Sequence, residues 1–268
     1  MTSPELARLV KYGPAKSEDE GRAYSYPLEK VDGKYPQYPS VTTVLKMVDK
    51  SSLVQWAVNL SVDWAVNNLD ALHQKSIEQG IAMGRYRWKD IRDERASVGD
   101  GIHATIEAKH TGTWDFPELN DEQLQIMEHW RQLNTEHAIE PIHSELTMFN
   151  RTVGYAGTAD GIWMIDGQKC LIDIKTSKSH WPEHDMQLSA LLHAEEWLPK
   201  VGEGKWESMA PEPTERVAII HLRSDLHELI YIDDDILDAS WDAFQGYKMA
   251  WDADRKLKDI KKAKYSGF

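Results

Sequence analysis

Cysteine is almost absent from this chain of 268 residues. The single one, Cys170, cannot form an internal disulfide, and one thiolate cannot supply a four-cysteine zinc site or an iron–sulfur cluster. It lies in an apolar stretch, so we expect it to be a buried core residue. The sequence therefore excludes all three of these cysteine sites.

Long apolar runs are also missing. No stretch approaches the roughly 20 consecutive apolar residues that span a bilayer. The N-terminus lacks the apolar segment of a secretory signal, and the acidic run at 17–20 is unlike a transit peptide. We therefore expect a cytoplasmic protein that does not use a membrane as a partner.

Basic residues are fewer than acidic ones, 31 against 44, so the formal net charge is −13. This balance argues against indiscriminate binding to polyanions. It does not exclude a phosphate-processing enzyme, because hard divalent cations are bound by carboxylates and a local basic stripe can contact phosphates. Any nucleic-acid contact is therefore expected to be local.

What the chain does contain is a pair of apolar runs, 157–163 and 171–176, joined through a short turn at Asp166-Gly167-Gln168. This pattern predicts a β-hairpin. The first strand carries Asp160, and the second carries Asp173 and Lys175. Because side chains alternate along a strand, Asp173 and Lys175 are expected on one face and their isoleucine neighbours on the other.

Such polar groups are costly to bury unless something compensates them, and a divalent cation would do so. Asp160 and Asp173 suit Mg²⁺ or Mn²⁺, with the carbonyl oxygen of Ile174 as a third ligand. Lys175 suits a different role, because its ammonium can position the attacking water and neutralise developing charge. The alternative is an ordinary ion pair of Lys175 with a carboxylate on an exposed sheet face.

The remaining chain alternates helical and strand patterns, and we expect one continuous globule. Residues 1–95 would form an N-terminal arm and helical lobe, and residues 96–268 a core ending in a long helix and a basic tail. The apolar periodicity predicts helices over 52–70, 72–96 (one or two helices), 97–109, 121–137, from Pro182, and from 233–235 onwards; strands are predicted over 141–149, 153–165, 169–176, 216–222 and 227–232.

The order Gly157-x-x-Asp160, then Asp173-x-Lys175, resembles the G-x-x-D … D-x-K pattern of the PD-(D/E)XK nuclease superfamily. The predicted order of helix, three strands, helix and two strands matches the order of that core. The resemblance implies an α/β, restriction-endonuclease-like fold. In it a central mixed β-sheet is flanked by helices, here with an added N-terminal helical lobe.

Three residues outside these two motifs resemble positions that are typical of the RecB-like branch of this superfamily. Gly99-x-x-x-His103 matches a helix whose histidine is a further metal ligand; a structural or solvated histidine is the alternative. Gln187 matches the start of Q-x-x-x-Y, where the glutamine orients the lysine or contacts DNA, but Leu191 replaces the tyrosine. Glu145, on the strand before Asp160, would support the site or pair with Lys175, or simply be solvated. Glu107, one helical turn after His103, would hydrogen-bond that histidine and orient it, or be a solvated charge.

The resemblance extends to phage and mitochondrial genome maintenance exonucleases. It implies hydrolysis of phosphodiester bonds from a single- or double-stranded DNA end with one or two Mg²⁺ or Mn²⁺ ions, in recombination, repair or replication. A recombinase or single-strand-binding protein would be a suitable partner, and a phage-encoded chain would act in the host cytoplasm. The iron–sulfur cluster of CRISPR-associated relatives is not expected, since one cysteine cannot hold it.

Three other functions remain open. They are a structure-selective endonuclease on the same core, a catalytically silent DNA-binding component of a recombination assembly, and an unrelated metal enzyme acting on a small phosphoester. For DNA contacts the candidates are basic residues beside the hairpin and in the tail, with one aromatic residue for base stacking. These candidates are Lys178, Trp181, Arg255, Lys258, Lys261 and Lys262.

Overall fold

The computed structural model describes residues 9–10, 22–48, 50–69, 77–112, 117–198, 200–201 and 205–265. The helices are α1 Val41–Val44, α2 Ser51–Asn67, α3 Ile77–Thr111, α4 Asp121–Glu136, α5 Pro182–Leu192 and α6 Asp234–Tyr265. The strands are β1 Leu9–Val10, β2 Ala23–Ser25, β3 Gln37–Pro39, β4 Ile139–Asn150, β5 Tyr155–Ile165, β6 Gln168–Lys175, β7 Glu196–Trp197, β8 Lys200–Val201, β9 Lys205–Trp206, β10 Arg216–Arg223 and β11 Leu226–Tyr231.

A six-stranded sheet in the order β11-β10-β6-β5-β4-β7 forms the centre of the fold. Strands β10 and β6 run parallel, whereas the other neighbouring pairs are antiparallel. The sheet is therefore mixed. Helices cover it on both faces, so the expectation of an α/β fold with a central mixed sheet flanked by helices is confirmed.

Strand β6 is buried from both sides. Ile172 and Ile174 pack with α3 and α4 in one hydrophobic cluster, whereas Leu171 packs with α5 and the start of α6 in another. Fully burying one such side chain stabilises the fold by about 1.5–3 kcal/mol. Two-sided burial explains why the middle of β6, residues 170–172, is continuously apolar, so that the buried Asp173 directly after it stands out.

The β5–β6 hairpin is confirmed. Ile165 pairs with Gln168, so the turn is one residue shorter than predicted: it consists of Asp166 and Gly167, and Gln168 begins β6. Both have positive φ, 51° and 82°, as a two-residue type I′ turn requires. The Asp166 carboxylate also accepts a hydrogen bond from the backbone N–H of Ala138 at 2.9 Å, which ties the turn to β4.

Helix α3 differs from the prediction, because it is one helix of 35 residues. The predicted break near Ser97 is wrong, and the helix runs across the expected boundary between residues 95 and 96. No proline interrupts it, and the interior glycines Gly99 and Gly101 are positions where Thr176 and Gln123 approach closely. The glycines therefore mark packing contacts and do not end the helix.

Helix α4 begins after Asn120, which caps it by a reciprocal pair of hydrogen bonds with Gln123. None of the helices built from the described residues has the length and apolarity needed to cross a membrane.

Candidate active site

Strands β5 and β6 separate at Asp160 and Asp173. Their last paired residues are Gly161 and Ile172, beyond which β6 continues beside β10 and β5 beside β4. At this point the Asp160 carboxylate replaces the hydrogen bonding between the two strands, because its Oδ2 accepts a hydrogen bond from the backbone N–H of Ile174 at 2.6 Å. The two carboxylates therefore lie where the strands separate.

The alternation of side chains is interrupted at Asp160. Ala159 and Ile162 pack into the same hydrophobic cluster, although strict alternation would place them on opposite faces. Glu145, opposite Asp160 in the β4–β5 register, has a φ of 53°. A positive φ is rare for a residue other than glycine, and such strain is concentrated at functional sites. This local distortion changes the direction of the Asp160 side chain from the one that regular alternation would give it.

Asp173, Lys175 and Gln187 form a closed triangle of one ion pair and two hydrogen bonds. The Lys175 Nζ atom lies 2.5 Å from Asp173 Oδ2 and donates to Gln187 Oε1 at 3.1 Å. Gln187 Nε2 in turn donates to Asp173 Oδ1 at 3.0 Å. Gln187 projects from α5, which Leu188 and Leu191 hold against the sheet. One amide therefore fixes both the lysine and the carboxylate.

His103 reaches the same point from the other face of the sheet. Its Nε2 lies 3.0 Å from the carbonyl oxygen of Ile174, and its Nδ1 lies 3.5 Å from Asp160 Oδ1. The carbonyl can only accept, so Nε2 carries the donated hydrogen. Buried Ile102 and Ile106 anchor this part of α3 in the core. Gly99 permits the close approach, because a Cβ there would lie 3.1 Å from Thr176 Oγ1.

The charges in this cluster shift one another's pKa. Burial raises the pKa of Asp173 to about 6, against the attraction of Lys175. Burial also acts to raise the pKa of Asp160, but His103, Lys175 and the Ile174 N–H outweigh it and hold that pKa below its usual value. Burial would lower the pKa of His103, yet the neighbouring Asp160 carboxylate raises it to about 9. Perturbation of this kind is characteristic of functional sites.

The donor set suits a hard divalent cation. Asp160, Asp173 and the Ile174 carbonyl present oxygen atoms, and His103 adds an imidazole nitrogen. Asp173 Oδ2 is buried without a hydrogen bond of acceptable geometry among the described residues, although Lys175 Nζ is only 2.5 Å away. This short contact is electrostatic in origin, because the two groups carry opposite charges. The oxygen atom thus retains acceptor capacity for an ion.

The side chains nevertheless contact one another and do not surround a common metal position. Within the described ranges, no three His, Cys, Asp or Glu side chains are positioned to hold one ion. His103 stands between Asp160 and the Ile174 carbonyl, so a cationic imidazole contacts two oxygen atoms that a metal would use. Metal binding at this site would therefore require His103 to lose its proton and turn.

The other predicted residues lie further out. Glu107 is exposed on α3, one turn beyond His103. Glu145 contributes to raising the pKa of Tyr24, an effect that burial dominates. Lys178 is exposed after β6, and Trp181 directly precedes α5 with 48% of its surface exposed. The predicted tail contacts all lie in α6 beyond Lys248, the last buried residue of that helix: Arg255, Lys258, Lys261 and Lys262.

Two histidines beside the cluster were missed by the sequence analysis. His221 pairs with Lys175 in the parallel β10–β6 ladder, and its Nε2 donates to the carbonyl of Ser177 at 2.7 Å, which anchors the segment after β6. Burial lowers the pKa of His184 to about 3, and the charge of Lys175 acts in the same direction. A polar residue within the apolar run 217–222 was the available signal for His221.

Neither the protein-family models nor the curated proteins compared with this chain gave a match. The fold and the site therefore define the class directly. The chain is an α/β protein whose central mixed sheet carries a buried cluster of two carboxylates and a lysine, closed by a histidine from one flanking helix and a glutamine from the other.

Proposed function

We propose that this chain is a metal-dependent DNA exonuclease with a PD-(D/E)XK core of the RecB-like branch. The observation that carries the proposal is the convergence of Asp160, Asp173 and Lys175 with His103 and Gln187. These residues come from two strands and from helices on opposite faces of the sheet. The G-x-x-D … D-x-K pattern and the flanking RecB-like pattern select these same residues. A purely structural role in the hydrophobic core would not require their side chains to meet.

The residues divide the work of phosphodiester hydrolysis between them. Asp160, Asp173, the Ile174 carbonyl and His103 would hold one or two Mg²⁺ or Mn²⁺ ions, which supply an activated water and neutralise charge at the phosphorus. Lys175 brings a positive charge beside Asp173 and can orient a water molecule. Gln187 is the positioning residue, because it holds Lys175 and Asp173 in a fixed relation.

DNA as the substrate is supported by the resemblance and by exposed basic and aromatic groups beyond the cluster. Lys178 follows the strand that carries Lys175, and Trp181 offers an exposed ring for base stacking at the start of α5. Four basic residues of α6 add phosphate contacts. Action from a DNA end follows from the RecB-like pattern, in which the N-terminal lobe would help to enclose the strand.

The proposal is tested by incubating the protein with end-labelled single- and double-stranded oligonucleotides, and with closed circular DNA, in Mg²⁺ or Mn²⁺. We expect stepwise shortening of the linear substrates, intact circles, and no reaction in excess chelator. Cleavage of the circles would replace the exonuclease by the endonuclease alternative. DNA binding without any cleavage would favour the silent component.

Lys175→Ala and Asp160→Asn should abolish cleavage without unfolding the protein. Lys169→Ala is the matched control, because Lys169 lies on the same strand but pairs with Glu212 at 2.7 Å, away from the cluster. That control should retain the activity of the unmodified protein. Full cleavage by either site variant, with unfolding curves like those of the control, would refute the assigned roles.

A further inference from the structure

His184 lies in the first turn of α5, one helical turn before Gln187. Residues three apart lie on the same face of a helix, so His184 shares the face from which Gln187 contacts Lys175 and Asp173. The ring of His180 stacks with the His184 ring, with 5.9 Å between the ring centroids and 15° between the planes. His184 therefore borders the carboxylate cluster.

The hydrogen on the His184 ring can be assigned from its partner. The backbone N–H of Trp181 donates to Nδ1 at 3.3 Å, so Nδ1 carries a lone pair. Burial lowers the pKa of His184 to about 3, and the charge of Lys175 acts in the same direction, so the ring is neutral near pH 7. A neutral imidazole keeps one hydrogen, which must lie on Nε2. His184 is therefore a hydrogen-bond donor through Nε2.

This donor is unused within the protein. Among the residues that the structure describes, none accepts a hydrogen bond from Nε2. Nor is Nε2 one of the enclosed nitrogen atoms without a partner, which include His110 Nδ1 and Trp163 Nε1. Solvent therefore reaches Nε2, and a ligand at the surface of the cluster can accept its hydrogen.

The basic side chains around His184 already have acidic partners. The pairs are Lys175 with Asp173, His180 with Asp185 at 2.6 Å, His221 with Glu228 at 3.3 Å, and Lys50 with Glu183 at 3.6 Å. These charges are compensated in pairs, whereas the Nε2–H of His184 still lacks an acceptor. Phosphate, the group on which the neighbouring cluster is proposed to act, has oxygen atoms that only accept.

We propose that His184 binds the nucleic-acid substrate by donating from Nε2 to a non-bridging phosphate oxygen next to the phosphodiester that is cleaved. This role rests on the proposed nuclease function and adds a substrate-binding residue to it. Trp181 belongs to the same contact surface, because its backbone N–H holds the His184 ring and 48% of its surface is exposed for a base of the same strand. A phosphate contact of this kind is made equally before and during the reaction, so its loss raises KM and leaves kcat unchanged.

The test uses three substitutions that separate this donor from helix capping. Glutamate and glutamine at this position of the first turn can both accept the N–H of Trp181, as in a capping box. Only glutamine can also donate, and leucine can do neither. His184→Gln should therefore keep the KM of the unmodified protein for an end-labelled oligonucleotide. His184→Glu and His184→Leu should each raise KM by about tenfold or more at an unchanged kcat.

His193→Leu is the matched control, because His193 directly follows the other end of α5 and its ring stacks on Trp241 with 4.1 Å between the centroids. It should leave KM unchanged. An unchanged KM in both His184→Glu and His184→Leu would overturn the assignment. An increase in His184→Glu alone would also overturn it, because the added negative charge would then be the cause. An equal increase in all three His184 variants would do the same, since a purely structural role gives that result.

Fluorescence anisotropy of a labelled oligonucleotide in Ca²⁺ measures the same contact without cleavage. We expect His184→Glu and His184→Leu to weaken binding by about tenfold, and His184→Gln and His193→Leu to bind as the unmodified protein does. If the unmodified protein binds the oligonucleotide but does not cleave it in Mg²⁺ or Mn²⁺, the nuclease function fails and this comparison decides the His184 contact by itself. No binding by the unmodified protein would refute the contact.

Discussion

Gly101 of α3 leaves the space that Gln123 of α4 fills, and this contact gives the sharpest stability prediction. A Cβ at Gly101 would lie 2.2 Å from Gln123 Nε2. The Gln123 side chain is buried, donates to the carbonyls of Ser97 and Val98 at 3.3 Å, and accepts from Asn120 N–H at 2.9 Å. An alanine at position 101 must therefore displace a side chain that caps α4 and joins it to α3.

The magnitude follows from comparing two glycines inside helices. Gly246 of α6 has open space where a Cβ would stand, so Gly246→Ala should raise the free energy of unfolding by about 1 kcal/mol through helix propensity alone. Gly101→Ala gains the same propensity but loses the Gln123 hydrogen bonds and half of the capping box, about 2–4 kcal/mol. The net result is a loss of about 1–3 kcal/mol.

Urea unfolding at constant pH measures both variants. Opposite signs are expected, with Gly246→Ala more stable and Gly101→Ala less stable than the unmodified protein. In a Gln123→Ala background the obstacle is gone, so Gly101→Ala should become stabilising by about 1 kcal/mol. A stabilising effect of Gly101→Ala in the unmodified protein, or additive effects in the double variant, would refute the packing argument.

Three further outcomes are expected. Gln187→Leu removes the hydrogen bonds to Lys175 and Asp173 and should lower kcat by about 100-fold with little change in KM, measured by oligonucleotide cleavage; an unchanged kcat would refute its positioning role. Mg²⁺ should raise the Tm of the unmodified protein but not that of Asp160→Asn, and equal shifts in a thermal scan would contradict the metal assignment. Burial lowers the pKa of His110 to about 4, below its usual value of 6.5, so its contribution to stability is full above pH 6.5 and is lost as pH falls towards 4. His110→Phe should flatten this part of the pH profile of urea unfolding, and an unchanged slope would show that another group causes it.

The β5–β6 hairpin and the order of its polar residues could be predicted from the amino-acid sequence alone. Asp166 and Gly167 suit the positive φ of a two-residue turn, and the apolar residues around them define two buried strands. Asp173 and Lys175 share a face because side chains alternate along a strand. These features depend on neighbours a few residues apart, so local preferences are sufficient to predict them.

Helix α3 shows where local preference fails. The apolar periodicity predicted separate helices before and after Ser97, and glycines near residue 100 weaken a helix in isolation. Packing of Gln123 and Thr176 onto the glycine positions makes the unbroken helix the better solution. The interrupted alternation of β5 at Asp160, opposite Glu145, was likewise not predicted, because the strand pattern alone predicts regular alternation there.

Contacts between residues far apart in the chain could not be predicted in this way. His103 reaches the Ile174 carbonyl across 71 positions, and His221 lies beside Lys175 because β10 pairs in parallel with β6. The hydrogen bond between the rings of His129 and His227 has no local signal at all. Contacts of this kind depend on how whole helices and strands pack on the sheet, and that packing is set by the burial of many apolar residues at once. The sequence determined which chemical groups the hairpin offers, and the fold decided what surrounds them.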